Sequence, residues 1–143
     1  MRSSVKLKGS GKLAVDTNAV IAYRKGSDEV YAIIDGIEML FLPAIVFGEL
    51  LYGAINSKDT EENKQAVYDF LELSVLLPID EAICIRYSTV RLGLKQAGNP
   101  IPENDIWIAA ICLEYNIPLL TRDKHFEKVS GLKVITWKED KFL

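Results

Sequence analysis

Leu13-Ala14-Val15-Asp16-Thr17-Asn18 is the stretch whose reading decides the fold. Three apolar residues run without alternation and stop on a carboxylate and two small polar residues. A strand buried on both faces of a parallel sheet has that pattern, whereas a half-solvated antiparallel strand alternates. Outward from it, Ala19 to Arg24 reads as a helical turn. Ser27 caps a helix whose Val30, Ile33, Ile34 and Ile37 fall at i, i+3, i+4 and i+7, and Gly36 helps end it. Met39 to Leu42 is a second short apolar run, stopped by Pro43. A helix over Ala44 to Ala54 follows, closed by Gly53 and the polar stretch around Asn56. Asp59 with Glu62 predicts a capping box for a helix through Leu73. Val75 to Leu77 is a third strand. Glu81 to Ala97 is a long helix with Ile83, Tyr87, Val90, Leu94 and Ala97 on one face, ended by Gly98. Asn99 to Pro102 turns the chain, and Asp105 to Tyr115 is almost wholly apolar and so a buried helix. Pro118 to Thr121 and Leu132 to Thr136 read as fourth and fifth strands. Short apolar strands alternating with helices predict an α/β class, a single α/β/α sandwich around a central parallel sheet.

The chain has 143 residues, 49% of them apolar and 26% charged, the proportions of one globular domain. No linker, repeat or low-complexity segment divides it. Residues 1–12, with Arg2, Lys6, Lys8 and Lys12, read as a flexible basic leader, and residues 13–143 as the domain. The leader lacks the apolar stretch of a signal peptide, and no apolar run reaches membrane-spanning length. The net charge of −3 argues against a strongly basic, non-specific nucleic-acid binder but leaves room for a local basic patch. Cys84 and Cys112 sit in helical apolar patterns with no Cys-x-x-Cys, which predicts two buried, reduced thiols and a cytoplasmic protein.

Four acids stand in unexpected places. Asp16 follows a buried strand, Glu49 lies within an apolar helix, Asp105 opens a core helix, and Asp123 follows the fourth strand by two residues. In open α/β sheets, ligands bind beyond the carboxyl ends of the strands, where Asp16 and Asp123 lie. Each acid alone has an ordinary reading: Asp16 and Asp105 as helix caps, Asp123 as a turn residue, Glu49 as half of an ion pair. Jointly they are hard to explain as scaffolding. Two unit charges ~4 Å apart repel by roughly 4 kcal/mol at an effective dielectric of 20, so protons or a metal must offset the repulsion. Oxygen ligands select hard cations such as Mg²⁺ or Mn²⁺, which activate water and stabilise charge on a phosphate. Phosphoester hydrolysis is the chemistry that needs this arrangement.

Other chemistries fare worse. The single His125 excludes a His-rich zinc site and reads as a residue that packs or bonds near Phe126. No dinucleotide fingerprint, P-loop or nucleophile elbow is present. Asp16-Thr17-Asn18 lacks the second Asp of an aspartyl-phosphate phosphatase.

Four fragments in order, Val15-Asp16-Thr17-Asn18, Glu49-Leu50-Leu51-Tyr52-Gly53, Asn104-Asp105-Ile106-Trp107-Ile108-Ala109-Ala110 and Leu120-Thr121-Arg122-Asp123-Lys124-His125-Phe126, are together specific. On them the chain resembles the PIN domain family, most closely its VapC-type toxins, from Leu13 to Ile135. The resemblance implies a Mg²⁺- or Mn²⁺-dependent endoribonuclease of a toxin–antitoxin pair. Asp16, Glu49, Asp105 and Asp123 would be its metal-site acids, and Thr17 and Thr121 its hydroxyl helpers. It also implies an RNA substrate, a small cognate antitoxin and a homodimer. The apolar helices at Ala44 to Ala54 and Glu81 to Ala97 point to a dimer as well. Arg122 and Lys124 flank the acids and could meet an RNA backbone. Two alternatives share the motifs: a non-toxin PIN nuclease of RNA processing, and a non-catalytic binding module.

Overall fold

The computed structural model describes residues 11–138. Residues 1–10 of the basic leader and residues 139–143 of the assigned domain lie outside the described residues. Lys12, assigned to the leader, is the first residue of β1 (Lys12–Val15). The chain continues through α1 (Thr17–Arg24), α2 (Asp28–Asp35), β2 (Met39–Pro43), α3 (Ala44–Ile55), α4 (Thr60–Glu72) and β3 (Val75–Leu77). Then come α5 (Glu81–Gln96), α6 (Glu103–Tyr115), β4 (Leu119–Leu120), a 3₁₀ turn (Lys124–Lys128) and β5 (Val134–Ile135).

The five strands are all parallel and lie in the order β3-β2-β1-β4-β5. Leu13 pairs with Leu40 on one side of β1, and Val15 with Leu120 on the other. The helices flank this sheet, giving the expected α/β/α sandwich. The chain builds outward from β1 to β3, then returns to lay β4 on the opposite side of β1. The order therefore reverses between β1 and β4, and a crevice opens beyond their carboxyl ends.

β1 holds the centre because Leu13, Ala14 and Val15 expose nothing. Each fully buried Leu or Val contributes about 1.5–3 kcal/mol relative to exposure. α6 buries Ile106 and the run Ile108 to Cys112, which accounts for its nearly continuous apolar sequence.

Helix ends follow the sequence in part. The Ser27 hydroxyl accepts from the Val30 amide at 3.3 Å, as expected. The capping box at Asp59 does not form. Asp59 has φ −101° and ψ 65°, outside the extended conformation that aims a cap side chain at the first turn, and makes no side-chain cap bond. Thr60 Oγ1 instead donates to the Ser57 carbonyl at 3.0 Å, and Asn63 Nδ2 to Ser57 Oγ at 2.8 Å. Asp80 caps α5, accepting from the Ile83 amide at 3.0 Å. The two thiols also differ from expectation. Cys112 is buried, and burial pushes its thiol up in pKa, but Cys84 is exposed. It follows the fully buried Ile83, so the turn of the helix carries it off the packed face.

Candidate active site

β1 stops at Val15, and the next residue caps α1. Asp16 is only 5% exposed, and its Oδ1 accepts from the Thr17 amide at 2.8 Å. Its Oδ2 accepts from Thr121 Oγ1 at 2.7 Å and from Asn18 Nδ2 at 3.4 Å. Thr121 is buried just past β4, and its oxygen in turn accepts from the Asp123 amide at 3.0 Å. Asn18 Oδ1 accepts from the Arg122 amide at 3.2 Å. The loops after β1 and β4 are thus joined by side-chain bonds around a single buried carboxylate. Asn18 supports more than its own turn.

Glu49 points in from α3 with both oxygens engaged. Oε1 accepts from Thr17 Oγ1 at 2.7 Å, and Oε2 from Asn104 Nδ2 at 3.0 Å. Asp105 stands in the first turn of α6, which begins two residues earlier than the sequence pattern suggests. Asp123 caps the 3₁₀ turn through the His125 amide at 2.9 Å. That turn folds the imidazole back, setting His125 Nδ1 at 3.2 Å from Asp105 Oδ2 and 2.9 Å from Asp123 Oδ1. One ligand atom from each of Asp105, Asp123 and His125 falls within 4.8 Å of the others.

The acids sense one another. The Asp105 carboxyl is raised from 3.8 to about 6, first by burial, then by the charges of Asp123 and Asp16, with His125 opposing. Asp16 is also raised, first by burial, with Glu49 and Asp123 adding to it. The Thr121 hydroxyl and Thr17 amide work against the rise. Uncompensated negative charge held by the fold attracts a cation or a proton. Two carboxylates and an imidazole of this spacing, with a third carboxylate beside them, suit a small divalent ion.

Of the four acids named from sequence, the structure brings Asp105 and Asp123 into one tight group and sets Asp16 against it. Glu49 lies outside that tight group but beside Asp16, bonded to the adjacent Thr17 and close enough for its charge to raise the Asp16 carboxyl. The two threonine hydroxyls are engaged with carboxylates: Thr17 with Glu49, and Thr121 with Asp16. Two residues were missed. Asn104, which the sequence marks only as part of a motif, is the second clamp on Glu49. His125, which the sequence gives as packing or bonding near Phe126, has two acids as its partners. The signal for it was its place two residues after a strand-end Asp, where a capped turn returns the side chain toward the cap. Arg122 and Lys124 are exposed beside the crevice, with the Arg122 guanidinium 5.6 Å from the centre of the Trp137 ring.

The family profile described as "PIN domain" matches residues 13–132. Ribonuclease VapC1 of Haemophilus influenzae strain R2866 is 32% identical over 130 residues, covering 86% of this chain and 96% of that protein. Solved structures similar in fold include two from VapBC pairs. VapBC2 from Rickettsia felis bound to a promoter DNA fragment superposes with a TM-score of 0.83 at 26% identity, over 89% of this chain and 99% of that one. VapBC-1 from nontypeable Haemophilus influenzae gives 0.80 at 30% identity, over 88% and 98%.

Proposed function

This chain belongs to the PIN domain family, and we propose that within it the protein is a VapC-type ribonuclease, the toxin of a toxin–antitoxin pair, which hydrolyses RNA phosphodiester bonds. The observation that carries this reading is the meeting of Asp16, Asp105 and Asp123 at the switch point of the sheet, with Glu49 clamped beside them. Asp105 and Asp123, with Asp16 behind them and His125 at their edge, would hold Mg²⁺ or Mn²⁺. Such an ion supplies positive charge against the phosphate in the transition state and makes a nearby water more acidic.

The chain's own residues do the rest. Thr121 keeps Asp16 and the Asp123 loop in register. Thr17 and Asn104 hold Glu49 in one rotamer, where its carboxylate orients a water and takes its proton. Arg122 and Lys124 meet the phosphates of the flanking nucleotides. A VapB-like antitoxin is the natural inhibitor. A basic side chain entering the acidic crevice would pair with the same carboxylates and compete with ion and substrate.

Purified chain free of any partner should cleave total RNA with Mg²⁺ or Mn²⁺. Cleavage should cease in chelator and should be suppressed by the product of the neighbouring small gene. Full activity in chelator would sink the metal reading. Failure of the neighbour to bind would leave a general nuclease.

We also propose a homodimer. Ile85 and Leu92, seven residues apart on one face of α5, are each more than half exposed, and obligate interfaces are commonly apolar. Light scattering at micromolar concentration should give twice 16.0 kDa, and a clean monomer would remove this claim.

A further inference from the structure

Beside the acids lies an open cleft of about 680 Å³, lined by Thr17, Ile45, Gly48, Glu49, Tyr52 and Asn104 among others. We infer that it is a nucleobase subsite, which takes one base of single-stranded RNA next to the scissile phosphate by stacking it on Tyr52. The inference rests on the ribonuclease reading above and adds to it where the substrate's base sits.

Four observations point to this occupant. The cleft shares Thr17 and Glu49 with the acid cluster, so a nucleotide whose phosphate is at the acids reaches it directly. Among the described residues no Lys or Arg lines it and Glu49 does, so it suits the neutral base rather than the phosphate. Arg122 and Lys124, the two cations exposed beside Asp123, follow β4, whereas the cleft belongs to α3, which follows β2. The two lie on opposite sides of β1, one for backbone and the other for base. Tyr52 is 65% exposed and pairs with no other ring among the described residues. Gly48, one turn before it, leaves room: a Cβ there would meet nothing within 4 Å. A flat aromatic face over an open floor accepts any base, and the Asn104 amide at the rim offers an edge contact. Base stacking on such a ring is sequence-tolerant and strong enough to govern substrate affinity.

The test uses an RNA oligonucleotide with one cleavage site, and the same RNA carrying an abasic nucleotide on either side of it. Tyr52→Ala should raise KM about 10- to 100-fold, while Tyr52→Phe and Tyr52→Trp keep the wild-type value. One abasic position should impose the same loss on the wild type, and Tyr52→Ala should add nothing further on that RNA. Gly48→Leu gives a second reading with opposed signs. It should raise the melting temperature by about 2 °C, because leucine favours a helix over glycine, and yet raise KM by filling the floor. Wild-type KM in Tyr52→Ala, or a loss that persists in full on every abasic RNA, would overturn the subsite. So would variants that leave RNA kinetics alone and only loosen the hold of a protein inhibitor, which would make the cleft a protein-docking groove. If the wild-type chain cleaves no RNA with either ion, the ribonuclease reading itself fails and takes the subsite with it.

Discussion

Asp105→Asn is expected to lower RNA cleavage by orders of magnitude while making the ion-free protein more stable. Asparagine keeps the shape of the side chain and its place in the first turn of α6. It removes one of the charges that Asp16 and Asp123 oppose. The side chain is only 13% exposed, but the crevice opens to water. After discounting for screening, the gain should be ~1 kcal/mol at neutral pH, or about 3 °C at this length.

The pH dependence has a definite sign. The folded protein holds the Asp105 proton to about 6, the unfolded chain only to about 3.8. The folded state therefore binds more protons between these values, and stability rises as pH falls through that window. The contribution is complete below 3.8 and lost as pH rises through 6. The variant should lack this component, so its advantage over the wild type should shrink from pH 7 to pH 4. The stabilisation conferred by Mg²⁺ should shrink too, because it reflects an ion bound only by the folded state. Thermal melts of both proteins at several pH values, in chelator and in Mg²⁺, measure all of this. An active variant whose melt responds to Mg²⁺ as the wild type does would refute a shared site.

Thr121→Val should damage both stability and activity. Valine matches threonine in shape but leaves Asp16 Oδ2 and the Asp123 amide without the hydroxyl that now serves both. A buried polar group stripped of its partner costs about 1–3 kcal/mol. A loss of ~2 kcal/mol corresponds to about 7 °C at this size. Cleavage should fall more than about 10-fold, since misplacing a catalytic group is costly. Thr121→Ser keeps the hydroxyl and should retain most of both. A valine variant with the wild-type melting point and rate would show that the hydroxyl has no such role.

The elements that sequence made legible are those whose burial is written in composition. Leu13-Ala14-Val15 and the run Ile108 to Cys112 are apolar because nothing of them meets water, so their state follows from pattern alone. Asp16 stood out because a carboxylate at the end of such a run needs a reason. What sequence could not supply was partnership across distance. Nothing near Asn104 says that its amide meets Glu49, 55 residues away, or that both Glu49 oxygens are taken. The partners of His125 are not legible in sequence because its position depends on the 3₁₀ turn that Asp123 caps, a local geometry with no periodicity to betray it. Cys84 was misread because an apolar stripe fixes a helix face only to within a residue. Asp59 was misread because a capping box needs a backbone angle as well as a spacing.

The bond between Thr121 and Asp16 spans 105 positions of the chain. On the ribosome, β1, β2 and β3 can emerge and pair while Asp16 still has only local partners. The strand that completes its surroundings is synthesised after α5 and α6. A nascent chain that has not yet released β4 from the exit tunnel cannot assemble the crevice, whatever ions surround it. For the ribonuclease proposed above, a growing chain that still holds β4 in the tunnel therefore lacks the Thr121 hydroxyl that fixes Asp16.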